Sequence, residues 1–400
     1  MFYFQVHQPY RIKPYSYFQN DSKGDYFDQE KNSQILNKVA NKCYLPTNHI
    51  LLELIKKHEG RFKIAYSISG VAIDQMKEYR PEVIDSFKRL ADTGCVEFLG
   101  ETYYHSLAAL YDEEEFFYQV REHSDLMYKL FGQRPKIFRN TELIYSDHIG
   151  YLARKMGFDA VIAEGADDII TWRSPDFVYS VNGNPKTKLL LKNYRLSDDI
   201  AFRFSNRGWK EFPLTSEKFA GWVHNISGNG EILNLFMDYE TFGEHQWEST
   251  GIFEFLKYLP EHVMRHKDWD FCTPSEGIKR YQPVSEMKFG RLTSWADVDR
   301  DLTAWRGNRM QDSALNKIYA LGDKIRSSGN DELISTWRKL LTSDHFYYMC
   351  TKWFADGDVH AYFSPYESPY DAFINYMNVL KDFVQSLGIH YPEGQESLSF

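Results

Sequence analysis

The first 240 or so residues repeat one hydrophobic pattern: a short apolar run ends abruptly in polar side chains and is followed by a longer stretch with apolar residues every three or four positions. Runs of the first kind occupy 2–6, 61–70, 95–101, 136–142, 158–164, 188–192 and 231–238. They read as strands buried on both faces. Stretches of the second kind lie at 50–58, 80–93, 112–131, around Ile149, Leu152 and Met156, and at 217–226, and they read as helices. Their punctuation agrees. Pro81 sits in a first turn with Gly94 just past the end, and Asp112-Glu-Glu-Glu115 opens a helix that stops at Gly132.

Strands alternating with helices imply parallel pairing through right-handed crossovers. Seven such units predict an α/β fold, a seven-stranded (β/α)7 barrel over residues 1–290. In a closed sheet the residues at the strand ends, His7, Ser67, Glu97, Glu101, Glu142, Glu164 and Asp238, would ring a common mouth. Beyond Glu276 the alternation stops. A linker through Pro283 and Gly290 leads to three or four amphipathic helices ending near 387, which predicts a C-terminal α-helical region, 291–400, packed at the active-site side.

Composition narrows the function classes. Net charge is −9, and the Lys and Arg are scattered, which argues against nucleic acid as a partner. The four cysteines, Cys43, Cys95, Cys272 and Cys350, lie far apart and fit neither a disulfide framework nor a zinc site. No apolar run reaches the ~18 residues of a membrane span, and no secretory leader is readable, so the expected location is cytoplasmic. Aromatic residues make up 16% of the chain, enough to supply stacking surfaces for sugar rings as well as core.

Two carboxylates at the ends of different strands suit glycoside hydrolysis, in which one attacks the anomeric carbon while the other protonates the leaving oxygen. The acid must have a raised pKa, and Glu240 and Glu244 lie near enough to Asp238 in sequence to contribute like charge. Spacing alone does not select a pair among Glu97, Glu101, Glu142, Glu164 and Asp238. Alternatives stay open on the residues alone. His7, His105 and His245 with Asp238 could form a zinc or manganese set, although no tight His-x-x-x-His pair anchors it, and a non-catalytic glucan-binding protein would show the same aromatics. His7 could instead be a satisfied core histidine.

His7-Gln8-Pro9, Gly94–His105, Phe138–Tyr145, Met237–His245 and Thr273-Pro-Ser-Glu276 resemble, in order and spacing, the five sequence regions of glycoside hydrolase family 57. The resemblance covers the barrel region and implies a retaining mechanism on α-glucans, with Glu142 as nucleophile and Asp238 as general acid/base, and no cofactor. It is nearer to the α-amylases than to the 4-α-glucanotransferases. It also implies that His7, Glu101, His105 and His245 line the donor-sugar site and that Glu276 is near the cleft, with Glu97 and Glu240 as further candidates. Among Trp172, Trp222, Trp247, Trp295 and Trp305, the best candidates for a stacking platform are Trp247, directly after the acid loop, and Trp295, in the polar segment Ser-Trp-Ala-Asp.

Overall fold

In the computed structural model the described residues are 1–16, 24–352 and 359–388. The chain divides into two compact units. One comprises Met1–Gln8 and Ser33–Leu302, and the other comprises Pro9–Asn32 and Thr303–Phe400.

The strands of the first unit are β1 (Phe2–Val6), β2 (Ile64–Ile68), β3 (Val96–Phe98), β4 (Ile137–Arg139), β5 (Ala160–Glu164), β6 (Val178–Val181), β7 (Asn184–Lys192), β8 (Leu235–Asp238) and β9 (Glu286–Met287), all but β6 and β9 falling on the apolar runs. Hydrogen bonding arranges them as a four-stranded sheet, β3-β2-β1-β8, and a five-stranded sheet, β4-β5-β7-β6-β9. The ladders therefore do not run round as the single closed sheet expected. Both edges of the four-stranded sheet are nevertheless tied to the five-stranded one, at its edge strand β4 and at its central strand β7. Gly100 donates to the Ile137 carbonyl at 2.9 Å and accepts from Arg139 at 2.8 Å, and Asn193 donates to the Asn234 carbonyl at 2.8 Å. All seven predicted strands pair in parallel, whereas β6, antiparallel to β7, and the two-residue β9 were not anticipated.

Successive side chains of a strand face opposite ways, and the two faces here have different fates. Phe2, Phe4, Val6, Ile64, Tyr66, Ile68, Val96, Phe98, Leu235 and Met237 join one apolar cluster with helix residues such as Leu51, Leu54, Phe87 and Leu256. Tyr3, Ala65, Ile137, Ala160, Ile162, Leu190 and Phe236 form a second cluster, which strands of both sheets share. Continuing along this second face, each strand or the residues just after it becomes polar: Gln5, Ser67, Glu101, Arg139, Glu164, Lys192 and Asp238. One alternation thus builds an apolar floor and a polar rim.

The helices begin and end where their caps require. Asp112 accepts from the Glu115 amide at 3.0 Å to open Glu113–Phe131, which Gly132 closes at φ +69°. The second unit is helical, with seven helices among its described residues rather than three or four. They share a core that includes Trp305, Leu315, Trp337, Phe346, Val379 and Phe383. Tyr26 donates to Asp382 at 2.7 Å and the Tyr15 amide to Asn375 at 2.6 Å, which binds both to these helices. No helix among the described residues is long and apolar enough to cross a membrane.

Gly243 tests the packing beneath the loop that follows β8. Its φ is +112°, and a Cβ would lie 1.9 Å from the Lys42 carbonyl oxygen. Gly243→Ala is expected to lower the unfolding free energy by about 2–4 kcal/mol, since both the backbone conformation and the close approach are lost. Urea denaturation measures this, and a change under about 0.5 kcal/mol would show that the loop relaxes freely.

Candidate active site

Glu142 lies beyond the end of β4, not within a strand as expected, in a one-turn 3-10 segment, Thr141–Leu143. Its backbone is left-handed, φ 57° and ψ 25°, and Leu143 follows at φ 52°. Non-glycine residues seldom adopt this conformation, and it persists only where surrounding contacts fix it. Here the Trp295 amide donates to the Glu142 carbonyl at 3.2 Å, while Tyr145 and Thr293 exchange amide–carbonyl bonds at 3.0 Å.

The Glu142 carboxylate meets donors on both oxygens. His105 Nε2 is 3.0 Å from Oε1, and the Trp295 indole donates to Oε2 at 2.7 Å. The other nitrogen of His105 is 3.1 Å from Glu101 Oε2. A carboxylate only accepts, so two ionised partners make both ring nitrogens donors and the ring an imidazolium. Burial opposes this charge, yet the bonds to Glu101 and Glu142 and their charges raise His105 to about 9. Glu101, which burial alone would raise, is pulled down to about 2 by the His105 bond and by the charges of His105, Arg139 and His123. Ser67 donates to Glu101 at 2.8 Å and Gln5 at 3.4 Å. His7 stacks on His105 with centroids 3.9 Å apart, its Nδ1 lying 2.7 Å from the Ser69 hydroxyl.

His123 completes the back of the site. Its Nε2 faces the Ile68 carbonyl at 2.8 Å, and its Nδ1 faces the Glu101 amide at 3.5 Å. A carbonyl must accept and an amide must donate, so the ring is the neutral Nε2–H tautomer. Burial lowers its pKa in the same sense.

Arg139, at the end of β4, is wholly buried, and none of its three guanidinium nitrogens hydrogen-bonds a described residue. It lies 3.7 Å from Glu101 Oε2, with its guanidinium 5.3 Å from the Phe236 ring centroid and 5.4 Å from that of Trp295. A desolvated cation at this position favours ionised carboxylates around it. Sequence reasoning assigned it no role, although a charged residue inside the apolar run Ile-Phe-Arg was the available signal.

Asp238 ends β8, level with Gln5 and Ser67 across the sheet. Burial and then the charge of Glu142 raise its carboxyl to about 7, against Arg139, Lys192 and His105, which lower it. Glu240, two residues on, is raised to about 8 by burial and by Asp238. Tyr44 and Gln8 both donate to Glu240, Gln8 at 3.3 Å. Its carboxyl is thus satisfied within the protein. Neither partner was foreseen as such, although Gln8 lies inside the His-Gln-Pro motif.

The remaining candidates scatter. Burial lowers His245 to about 4, which keeps it neutral. Next to it Glu244 is paired with Lys38 at 2.6 Å and Lys42 at 3.5 Å, and Trp247 is 61% exposed with Lys42 over its ring at 5.9 Å. Trp172 is exposed too, whereas Trp305 is core in the second unit and Trp222 packs in part against the first apolar cluster of the first unit. Glu97 and Glu276, placed in the cleft by sequence, are not there. Glu97 is level with Ala65 and Tyr3, two residues or roughly 7 Å nearer the strands' amino ends than Asp238. It accepts from the Ser275 hydroxyl and from the Ser275 amide at 2.8 Å. Glu276 closes a capping box with Thr273 and pairs with Lys63. Glu164 is bound to Lys192 at 3.3 Å.

Two carboxyls with opposite tendencies therefore share this face, one receiving donors on both oxygens and one pushed toward the protonated form. That division suits nucleophile and acid. Among the described residues no group of three or more histidine, cysteine and acidic side chains is arranged to hold a metal ion. Both nitrogens of His105, the residue central to the metal alternative, already face carboxylates.

Residues 1–290 match glycosyl hydrolase family 57. The chain is 44% identical over 396 residues to a Methanocaldococcus jannaschii protein named "Putative alpha-amylase", covering 96% of this chain and 83% of that one. Its fold is similar to that of a family 57 branching enzyme from Thermococcus kodakaraensis, with a TM-score of 0.69 at 14% identity over 96% of this chain and 89% of that one. It is also similar to a 4-alpha-glucanotransferase from Thermococcus litoralis, with a TM-score of 0.60 at 15% identity over 95% of this chain and 59% of that one.

The raised Asp238 carboxyl carries a stability signature. Unfolded, it titrates near pH 3.9; folded, at about 7. Between those values the folded state binds more protons, so this group's contribution makes stability fall as pH rises through the window. Relative to wild type, Asp238→Asn is expected to gain about 4 kcal/mol in unfolding free energy between about pH 4 and about pH 8. Urea denaturation at a series of pH values measures the gain, and a difference independent of pH would show that the carboxyl is not held protonated.

Proposed function

The chain belongs to glycosyl hydrolase family 57, and on that premise we propose that it is a retaining glycosidase of α-1,4-glucans and maltooligosaccharides, of the α-amylase type. The observation that carries the reading is the opposed protonation of two carboxyls on one face: Asp238 raised to about 7 beside a Glu142 that accepts from His105 and Trp295. In the first step Glu142 attacks the anomeric carbon while Asp238 gives its proton to the leaving oxygen. In the second, Asp238 takes a proton from water, whose oxygen displaces Glu142 from the same carbon. Donors fixed on both oxygens of Glu142 aim its carboxyl before substrate arrives, so little reorganisation remains for the reaction itself.

The name of the 44%-identical relative supports hydrolysis over transfer. Trp247, exposed beside the acid loop, offers a face for a sugar ring. The seven parallel strands are read as a (β/α)7 barrel, supported by the ties at Gly100 and Asn193.

Glu142→Gln and Asp238→Asn are each expected to lower kcat on maltoheptaose by about 10³-fold or more, as when a covalent-catalysis unit is broken. Near-normal turnover in either variant removes its role. Chromatography of the wild-type products separates the activities: shorter sugars alone mean hydrolysis, and longer ones appearing beside them mean transfer.

A further inference from the structure

Trp295 was expected to offer its ring to a sugar, but its surroundings point to its N–H. The indole is packed against Phe236, with centroids 5.2 Å apart, and carries the Arg139 guanidinium at 5.4 Å and the Lys192 ammonium at 5.3 Å over the ring. Three protein groups thus already lie against or over the ring. The N–H meanwhile donates to Glu142 Oε2 at 2.7 Å, and the backbone amide of the same residue donates to the Glu142 carbonyl at 3.2 Å. One residue thus holds the carboxylate and the left-handed backbone that presents it.

The segment carrying Trp295 is fastened down. Arg291 makes a two-pronged bond to Asp168 at 2.7 and 2.9 Å and donates to the carbonyls of Leu292 at 3.1 Å and Arg300 at 2.9 Å. Ser294 bonds across the segment, its amide to the Arg300 carbonyl at 3.0 Å and its hydroxyl to the Asp301 carbonyl at 2.5 Å. The Arg300 guanidinium lies 3.8 Å over the Tyr194 ring and 3.3 Å from Asp198. Bidentate and stacked arginines of this kind fix geometry rather than merely adding charge. The segment itself follows the last residue matched by the family, at 290, while its anchors Asp168, Tyr194 and Asp198 lie within the match.

We propose that Trp295 is a positioning residue for Glu142, acting through its indole N–H, and that the clasped segment 291–302 exists to hold that N–H in place. The proposal rests on the reading of Glu142 as nucleophile. A donor on Oε2 stabilises the ionised carboxylate and restricts it to one rotamer, which affects the chemical step more than substrate capture.

The discriminating variant replaces Trp295 with 3-benzothienylalanine, which keeps the ring and exchanges the N–H for sulfur; Trp295→Phe accompanies it. On maltoheptaose both should lose about ten- to a hundredfold in kcat, the scale of a hydrogen bond to a charged group, with KM changed less than about twofold. The acidic limb of kcat/KM should move to higher pH, because a carboxylate that loses a donor binds its proton more tightly. A benzothienyl variant with wild-type kcat and an unmoved acidic limb, beside a Trp295→Phe variant with raised KM, would overturn the proposal in favour of stacking. The indole N–H resonance of Trp295, identified by its loss in Trp295→Phe, reports the bond without turnover. It should shift on Glu142→Ala, and a resonance that does not move overturns the bond itself. Retained turnover in Glu142→Gln would instead overturn the nucleophile reading while leaving that resonance test intact.

Discussion

A positive charge held between two carboxylates is the interaction on which the site depends. Glu101, His105 and Glu142 form a line in which the imidazolium donates to an acid on each side. Burying these groups is costly unless each is paired, and removing one leaves its neighbours uncompensated. The surroundings answer that cost. Ser67, Gln5 and Arg139 attend Glu101, and Trp295 attends Glu142. His105 itself sits at φ 51° and Glu142 at φ 57°, conformations that side-chain bonds must hold in place. Asp238 shares the face outside this line, and burial and then the charge of Glu142 govern its titration. The contrast between the two carboxyls follows from which of them the imidazolium touches.

The same strands make the core and the chemistry. Along the inner face each has a residue that packs, such as Tyr3, Ala65, Ile137 or Phe236, and two positions later presents a polar or charged one, such as Gln5, Ser67, Arg139 or Asp238. A rigid apolar layer directly beneath the polar groups limits their movement to side-chain rotation, which suits a site that must be preorganised.

Much of this was legible in the residues. Apolar runs located all seven parallel strands, because a strand buried on both faces needs an unbroken run. The short β6 and β9 escaped because four and two residues carry too little pattern. The choice of Glu142 and Asp238 came from family resemblance, not spacing. Glu97 shows why spacing was insufficient: alternation correctly turns it inward, but its height depends on the stagger between strands, which no single strand encodes. At the lower level it binds Ser275. Glu276 was readable in another way, since Thr273-x-x-Glu276 before a helical stretch is a capping box. Trp295 was read as bordering the cleft, and the structure puts it against Glu142, but sequence could not tell which atom of the indole faces the site.

The partition of the chain bears on how the protein is made. Residues 9–32 leave β1 early, yet Tyr26 and Tyr15 find their partners 356 and 360 positions later. β1 itself pairs with β8, more than 230 residues downstream, as the terminal amine bonded to the Leu233 carbonyl across 232 positions makes concrete. These pairings join segments hundreds of positions apart, and so many non-local contacts favour slow maturation and shelter by chaperones.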